Sequence, residues 1–218
     1  SNSKLILALI ISAFVGVAVS YGDFYLFHLL LFLLSAIWIY QIKDNNFLLN
    51  LDLFSKNYIP TLIIIFLWYL ISLFWAPSLE LGLKYIFYIF CGLTITLSIV
   101  SFSSSINNLN KIFNVLSFFI LIEIIIGLIE SFTSFRMPIS SYSSLAPLFG
   151  KEPVNFSKFD NIFFYSGIRP PTGFRWNTND LAISMVIALP FFLCSKKTFV
   201  KVFGIVSITT IVVMTASR

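Results

Sequence analysis

The chain has 218 residues, of which 58% are hydrophobic and only 11% charged, with a net charge of +5 and a mean hydropathy of +0.95. Soluble domains carry about 25% charged residues, so this chain cannot cover a water-facing surface, and a soluble globular domain is excluded. The positive surplus forms no basic stripe with interleaved aromatics, which excludes a nucleic-acid partner; the lysines stand at the ends of apolar runs, where topology determinants belong.

The apolar runs are about 17–22 residues long, near the length a helix needs to cross roughly 30 Å of hydrocarbon. They are continuous rather than alternating, which argues against an outer-membrane barrel. The predicted fold is all-α: a polytopic membrane protein of about seven transmembrane helices. It forms a single transmembrane domain over residues 1–218, with one long extracytoplasmic loop over 134–178.

After the polar start Ser1-Asn-Ser-Lys4, residues 5–20 form the first predicted span. The lone lysine, the apolar stretch and the ending Ala18-Val-Ser20 also fit a secretory signal peptide. Tyr21-Gly-Asp23 is a tight turn, and residues 24–42 form the second span, closed by Lys43-Asp-Asn-Asn46. Residues 47–59, with Asp52 and Lys56, are too short and polar to span and are predicted to lie at the interface. Pro60 opens the third span, where its missing N–H costs little; the span runs to about Trp75, an aromatic suited to the interfacial belt. A turn, Ala76-Pro-Ser-Leu-Glu80, leads to a fourth span over about 81–100, with Lys84 in its first turn. Residues 101–111 read as a Ser/Asn-rich loop, and 112 to about 132 as the fifth span. The long loop holds five prolines among scattered aromatics, and loops of that length are usually functional. Residues 180–193 form the sixth span, Ser195-Lys-Lys-Thr198 a basic turn, and about 199–216 the seventh. There is no internal repeat.

If spans alternate, one side receives Lys4, Lys43, Lys56, Lys111, Lys196, Lys197 and Lys201, and the short loops of the other only Lys84. The positive-inside rule makes the first side cytoplasmic. The N-terminus is then cytoplasmic, and the long loop and Arg218 share the outer side.

That parity directs attention to the arginines. Arg suits phosphate because its planar fork gives bidentate hydrogen bonds at any relevant pH. Arg169 precedes two prolines, which stiffen its backbone; Gly173 permits a turn. Arg175 stands just before Asn177-Thr-Asn-Asp180, which supplies N-caps for the sixth span, and a helix start favours a nearby anion. Arg169, Arg175 and Arg218 are therefore candidates for holding a diphosphate, with Gly173, Asn179, Glu123 and Lys84 in support. The competing reading makes Arg169 and Arg175 lipid-headgroup or loop-fixing contacts and Arg218 a snorkelling anchor. Glu123, near the middle of the fifth span, shares a helix face with Glu130 seven residues on. A carboxyl at membrane depth points to function: orienting an arginine or relaying a proton, against a structural hydrogen bond to a neighbouring helix. Glu130 is placed to pair with Arg136. His28, the one imidazole, reads as a packed or interfacial residue. Asp23 and Glu80 fall on the outer side. Cys91 and Cys194 have no CxxC spacing, so neither disulfide nor metal site is indicated, and no cofactor is expected.

The stretch Arg169-Pro-Pro-Thr-Gly-Phe-Arg-Trp-Asn-Thr-Asn-Asp-Leu-Ala182 resembles the Arg-x-x-Gly-Thr-Phe…Pro-Asn…Ala stretch of the O-antigen ligase/polymerase family. Thr215-Ala-Ser-Arg218 resembles that family's Thr-Gly-Ser-Arg element one span later. Ser72-Leu-Phe-Trp-Ala-Pro-Ser-Leu-Glu-Leu-Gly-Leu-Lys84 is similar to its outer turn between the third and fourth spans. The resemblance implies a metal-independent, inverting glycosyltransferase of the bacterial inner membrane. Such an enzyme moves a glycan from undecaprenyl diphosphate onto a saccharide or lipid-linked acceptor at the outer face. It places the donor diphosphate on Arg169 and Arg218, whereas Arg175 falls where the family varies. Asn179 matches the family Asn; Thr178 stands for its Pro and Ala216 for its Gly. It also implies that the chain is the N-terminal part of a longer one, whose general-base histidine lies beyond residue 218. The alternative function is a transporter or channel subunit of the envelope with no catalytic role.

Overall fold

The computed structural model describes residues 2–43, 53–103, 105–154 and 170–215. Seven α-helices lie among them: α1 (Asn2–Val15), α2 (Leu26–Lys43), α3 (Leu53–Ser72), α4 (Leu79–Phe102), α5 (Ile106–Phe132), α6 (Thr178–Leu193) and α7 (Thr198–Met214). Within α4 and α5, residues Leu79–Val100 and Ile106–Phe132 are long and apolar enough to cross a bilayer; the other apolar helical stretches are shorter. In the most apolar parts of these two helices only 17% and 28% of residues are buried. Most of their apolar surface therefore faces outward, unlike the core helix of a soluble protein.

Several boundaries differ from the sequence reading. The first α-helix stops at Val15, and the chain continues through a 3₁₀ turn (Gly16–Val19) into a hairpin, β1 (Ser20–Tyr21) with β2 (Phe24–Tyr25). Ser20 opposes Tyr25 and Tyr21 opposes Phe24 around the expected turn. Pro60 does not open α3: the helix begins at Leu53 and carries Pro60 inside it. An interior proline forfeits one helical hydrogen bond, and the polar residues before it are drawn into the helix all the same. The Ser/Asn-rich stretch is mostly helical too. Ser105 Oγ accepts the Asn108 N–H at 3.3 Å, so this serine caps α5 and residues 106–111 extend it.

The contacts divide the chain into two compact units, Ser1–Ile10 with Phe27–Asn114, and Ile11–Leu26 with Val115–Arg218. In the first, α3 packs on α4 through the bend at Leu73–Trp75, and Ser78 caps α4 by accepting the Leu81 N–H at 3.4 Å. Polar side chains on α4 are satisfied along the helix itself: Thr94, Thr96 and Ser98 donate to main-chain oxygens four residues back. This is how a hydroxyl avoids an unmet hydrogen bond in an apolar setting. His28 is buried between Phe27 and Phe87, with ring centroids at 4.1 and 5.2 Å. Lys84 is exposed on α4.

In the second unit, α5, α6 and α7 share a core of Ile120, Ile124, Leu181, Met185, Ala188, Phe192, Ile208 and Ile211. α6 and α7 pack tightly at Gly204, where a Cβ would run into Phe192. Phe14 packs against Phe119 beside this core, with centroids 6.1 Å apart.

Candidate functional site

Buried Glu123, Glu130, Ser140 and Thr172 all belong to the second unit and bear on the segment just before α6. Pro170 to Gly173 is buried, although it is neither helix nor strand. Irregular backbone in an apolar setting is stable only if each N–H and C=O finds a partner, and here α5 provides most of them.

Glu130, fully buried near the end of α5, accepts three main-chain N–H groups. Its Oε1 takes Met137 at 2.8 Å, and its Oε2 takes Thr172 at 2.7 Å and Gly173 at 2.8 Å. Arg136 reaches Glu130 through the main-chain oxygen, at 2.7 Å, so the expected pairing of these two residues runs through the backbone. Thr172 Oγ1 donates to Ser140 Oγ at 2.8 Å, and the Ser141 N–H donates to Trp176 O at 3.2 Å. The first half of the long connection is thereby fastened to the segment that opens α6.

The turn itself closes with the Arg175 N–H on Thr172 O at 2.9 Å. Gly173 adopts a φ of 58°, in the left-handed region that favours glycine. A Cβ there would lie 3.0 Å from Leu181 Cδ1 and 3.4 Å from Glu123 Cγ, so space as well as torsion selects glycine.

Arg175 then turns back along α5 to Glu123. Its Nε donates to Oε1 at 3.0 Å and Nη2 reaches Oε2 at 3.5 Å; Glu123 is fully buried and the Arg175 side chain 16% exposed. The Phe14 ring lies 5.2 Å below the guanidinium carbon, a cation–π contact. The mid-helix carboxyl is thus held in an ion pair with Arg175.

Asn177 caps α6: its Oδ1 accepts the Asp180 N–H at 2.8 Å, and its Nδ2 donates to Asp180 Oδ2, also at 2.8 Å. One amide thus caps the helix with its oxygen and ties down the Asp180 carboxylate with its nitrogen. Asn179 lies exposed in the first turn of α6.

Beside this cap opens a cleft of about 480 Å³. One wall is the hairpin turn, with Asp23 and Tyr25; another is Lys151 and Glu152; the third is Trp176 with the start of α6. The Gly22 N–H donates to Phe149 O at 2.7 Å and ties the first two walls together. Lys151 Nζ lies 5.3 Å from the Tyr25 ring centroid and 5.1 Å from that of Trp176. Burial pushes the Lys151 ammonium below the usual lysine range, partly offset by the Asp23 carboxylate. Burial likewise raises the Tyr142 phenol, against the nearby charge of Arg136.

Of the residues expected at a diphosphate site, Gly173, Arg175 and Glu123 come together in this structure. Arg169 and Arg218 lie outside the described residues. Among the described residues no group of three His, Cys, Asp or Glu is placed to hold a metal ion. The cleft and the acceptor role of Glu130 were not foreseen in the sequence. For Glu130 a signal existed in its spacing from Glu123; for Lys151 and Tyr25 none did. Comparison with known protein families, curated proteins and solved structures finds no match to this chain.

Proposed function

We propose that this chain is part of a membrane glycosyltransferase of surface-polysaccharide biosynthesis, ligase or polymerase. It would act on glycans carried by undecaprenyl diphosphate at the outer face of the bacterial inner membrane. The observation that carries the reading is the double fastening of the Thr172–Arg175 turn to α5 by Glu130 and Glu123. The stretch that resembles the O-antigen ligase/polymerase family is held rigidly, as a site for a charged leaving group must be. The two long apolar helices and the outward-facing Ile64, Trp68 and Ile187 support the membrane setting.

In this reading a base removes the proton of an acceptor hydroxyl. That oxygen attacks the anomeric carbon, and the bond from this carbon to the diphosphate oxygen breaks. Arg169 and Arg218 neutralise the charge gathering on the departing diphosphate. Arg175 joins them through whatever part of its fork Glu123 leaves uncommitted; no cofactor or metal takes part. The transporter alternative gains nothing from Glu123, whose charge is matched by Arg175 rather than left for an ion or proton path. In the complete protein, Arg169→Ala and Arg218→Ala are expected to abolish glycan transfer while membrane insertion stays normal. Unchanged polymer ladders on a gel would remove both residues from the site.

A further inference from the structure

We propose that the cleft formed by the hairpin turn, Lys151–Glu152 and the start of α6 binds a saccharide, and that it selects neutral or amino sugars over acidic ones. The inference names the substrate class of the function proposed above and rests on that reading, but its test is binding alone.

The cleft is a built cavity rather than a gap between loose loops. The hairpin turn is hydrogen-bonded to Phe149, and Trp176 is held at its main-chain oxygen by the Ser141 N–H. Ser141 in turn accepts the Val154 N–H at 2.9 Å, which fixes the strand of chain carrying Lys151 and Glu152. A volume of about 480 Å³ lies within the range of small-molecule sites.

The lining has the two properties a sugar needs. A pyranose presents apolar C–H faces, and Tyr25 and Trp176 offer aromatic surface at the cleft wall. It also presents a ring of hydroxyls that must be hydrogen-bonded when they leave water. Asp23, Glu152 and Asp180 accept such bonds, and Lys151 donates. Carboxylates alone would argue only for a cation. Here they are not gathered tightly enough to hold a metal among the described residues, and an ammonium and two aromatic rings share the lining with them.

Charge sets the selectivity. Three carboxylates face one ammonium, so the cleft is net negative. A uronate, a phosphate or a diphosphate entering it meets like charge in a partly desolvated space, whereas a neutral sugar does not and an amino sugar is attracted. The cleft therefore suits the glycan and not the diphosphate of a lipid-linked donor, which leaves the phosphates to the arginines.

The test uses the whole chain in lipid nanodiscs. Saturation-transfer difference NMR and calorimetry are run with N-acetylglucosamine, galactose, glucosamine, glucuronic acid and inorganic pyrophosphate. The expected result is millimolar binding of at least one of the first three sugars and none of glucuronic acid or pyrophosphate at the same concentration. Asp23→Asn with Glu152→Gln, both on the protein surface, is expected to weaken the bound sugar about tenfold and to admit glucuronic acid. Trp176→Phe, which keeps an aromatic ring, is expected to retain binding, and Trp176→Ala to lose it with an unchanged melting temperature. Absence of binding by all three sugars, undiminished binding in the Asp23/Glu152 variant, or equal binding of glucuronic acid by the wild type would overturn the proposal. This test reads binding alone, so failure of the Arg169→Ala and Arg218→Ala transfer test counts against the enzyme reading, and failure to bind sugar counts against this one.

Discussion

Glu130→Ala removes the acceptor of three main-chain N–H groups, those of Met137, Thr172 and Gly173. Thr172 and Gly173 are buried, so water cannot replace the carboxylate without opening the turn. A buried donor left without its partner costs about 1–3 kcal/mol. The two buried amides together therefore lower the local opening free energy by about 3 kcal/mol, with Met137, at the better solvated rim, adding less. A factor of ten corresponds to about 1.4 kcal/mol, so amide exchange over residues 170–177 should accelerate about 100-fold. Glu130→Gln keeps one acceptor oxygen and should give about a tenfold change. Hydrogen exchange followed by mass spectrometry on the whole chain in nanodiscs reads this directly, with α7 peptides as the internal reference. Exchange over 170–177 within about twofold of wild type in Glu130→Ala would refute the claim that this carboxylate holds the turn.

Three further outcomes follow from the same unit. Glu123→Ala leaves the Arg175 guanidinium facing apolar surface and should cost about 3 kcal/mol in thermal unfolding, whereas Glu123→Leu with Arg175→Met should recover most of it; equal losses in both would show that the pair is not coupled. Gly204→Val places side-chain atoms inside the Phe192 ring and should destabilise the α6–α7 pair by about 2 kcal/mol or more, seen as a lower melting temperature. Burial lowers the Lys151 pKa from 10.5, so the folded state carries its ammonium at a cost below the folded pKa. That cost lifts as pH rises through the folded pKa towards 10.5, so stability should increase with pH over this window. Lys151→Met should remove that rise in a pH series of unfolding curves.

The helices were legible where apolar runs were long and flanked by capping residues. Asn177 sits where a helix start demands an acceptor, and α6 begins beside it. The start of α3 was not legible, because proline is at home in a first turn and the rule favours Pro60 there, yet the helix carries on through it. Residues 106–111 looked like loop because serine and asparagine compete with the backbone, yet Ser105 uses that ability to cap the helix. Glu123 and Glu130 stood out by cost and spacing, but their partners lie 52, 42 and 43 residues away and are set by tertiary packing. Lys151 was unreadable for the same reason: between Gly150 and Glu152 it has the composition of an ordinary exposed turn, and only the return of Tyr25 and Trp176 to its side gives it an environment.

Two attachment points on one helix do something that one cannot. Glu123 and Glu130 are seven residues apart, about 10 Å along the axis of α5, and each grips a different end of the Thr172–Arg175 turn. Together with the Thr172–Ser140 and Ser141–Trp176 bonds, the pair sets the heading of the turn as a splint does. Cutting one grip should let the nearer end of the turn swing, while the other grip and the two serine bonds keep it docked.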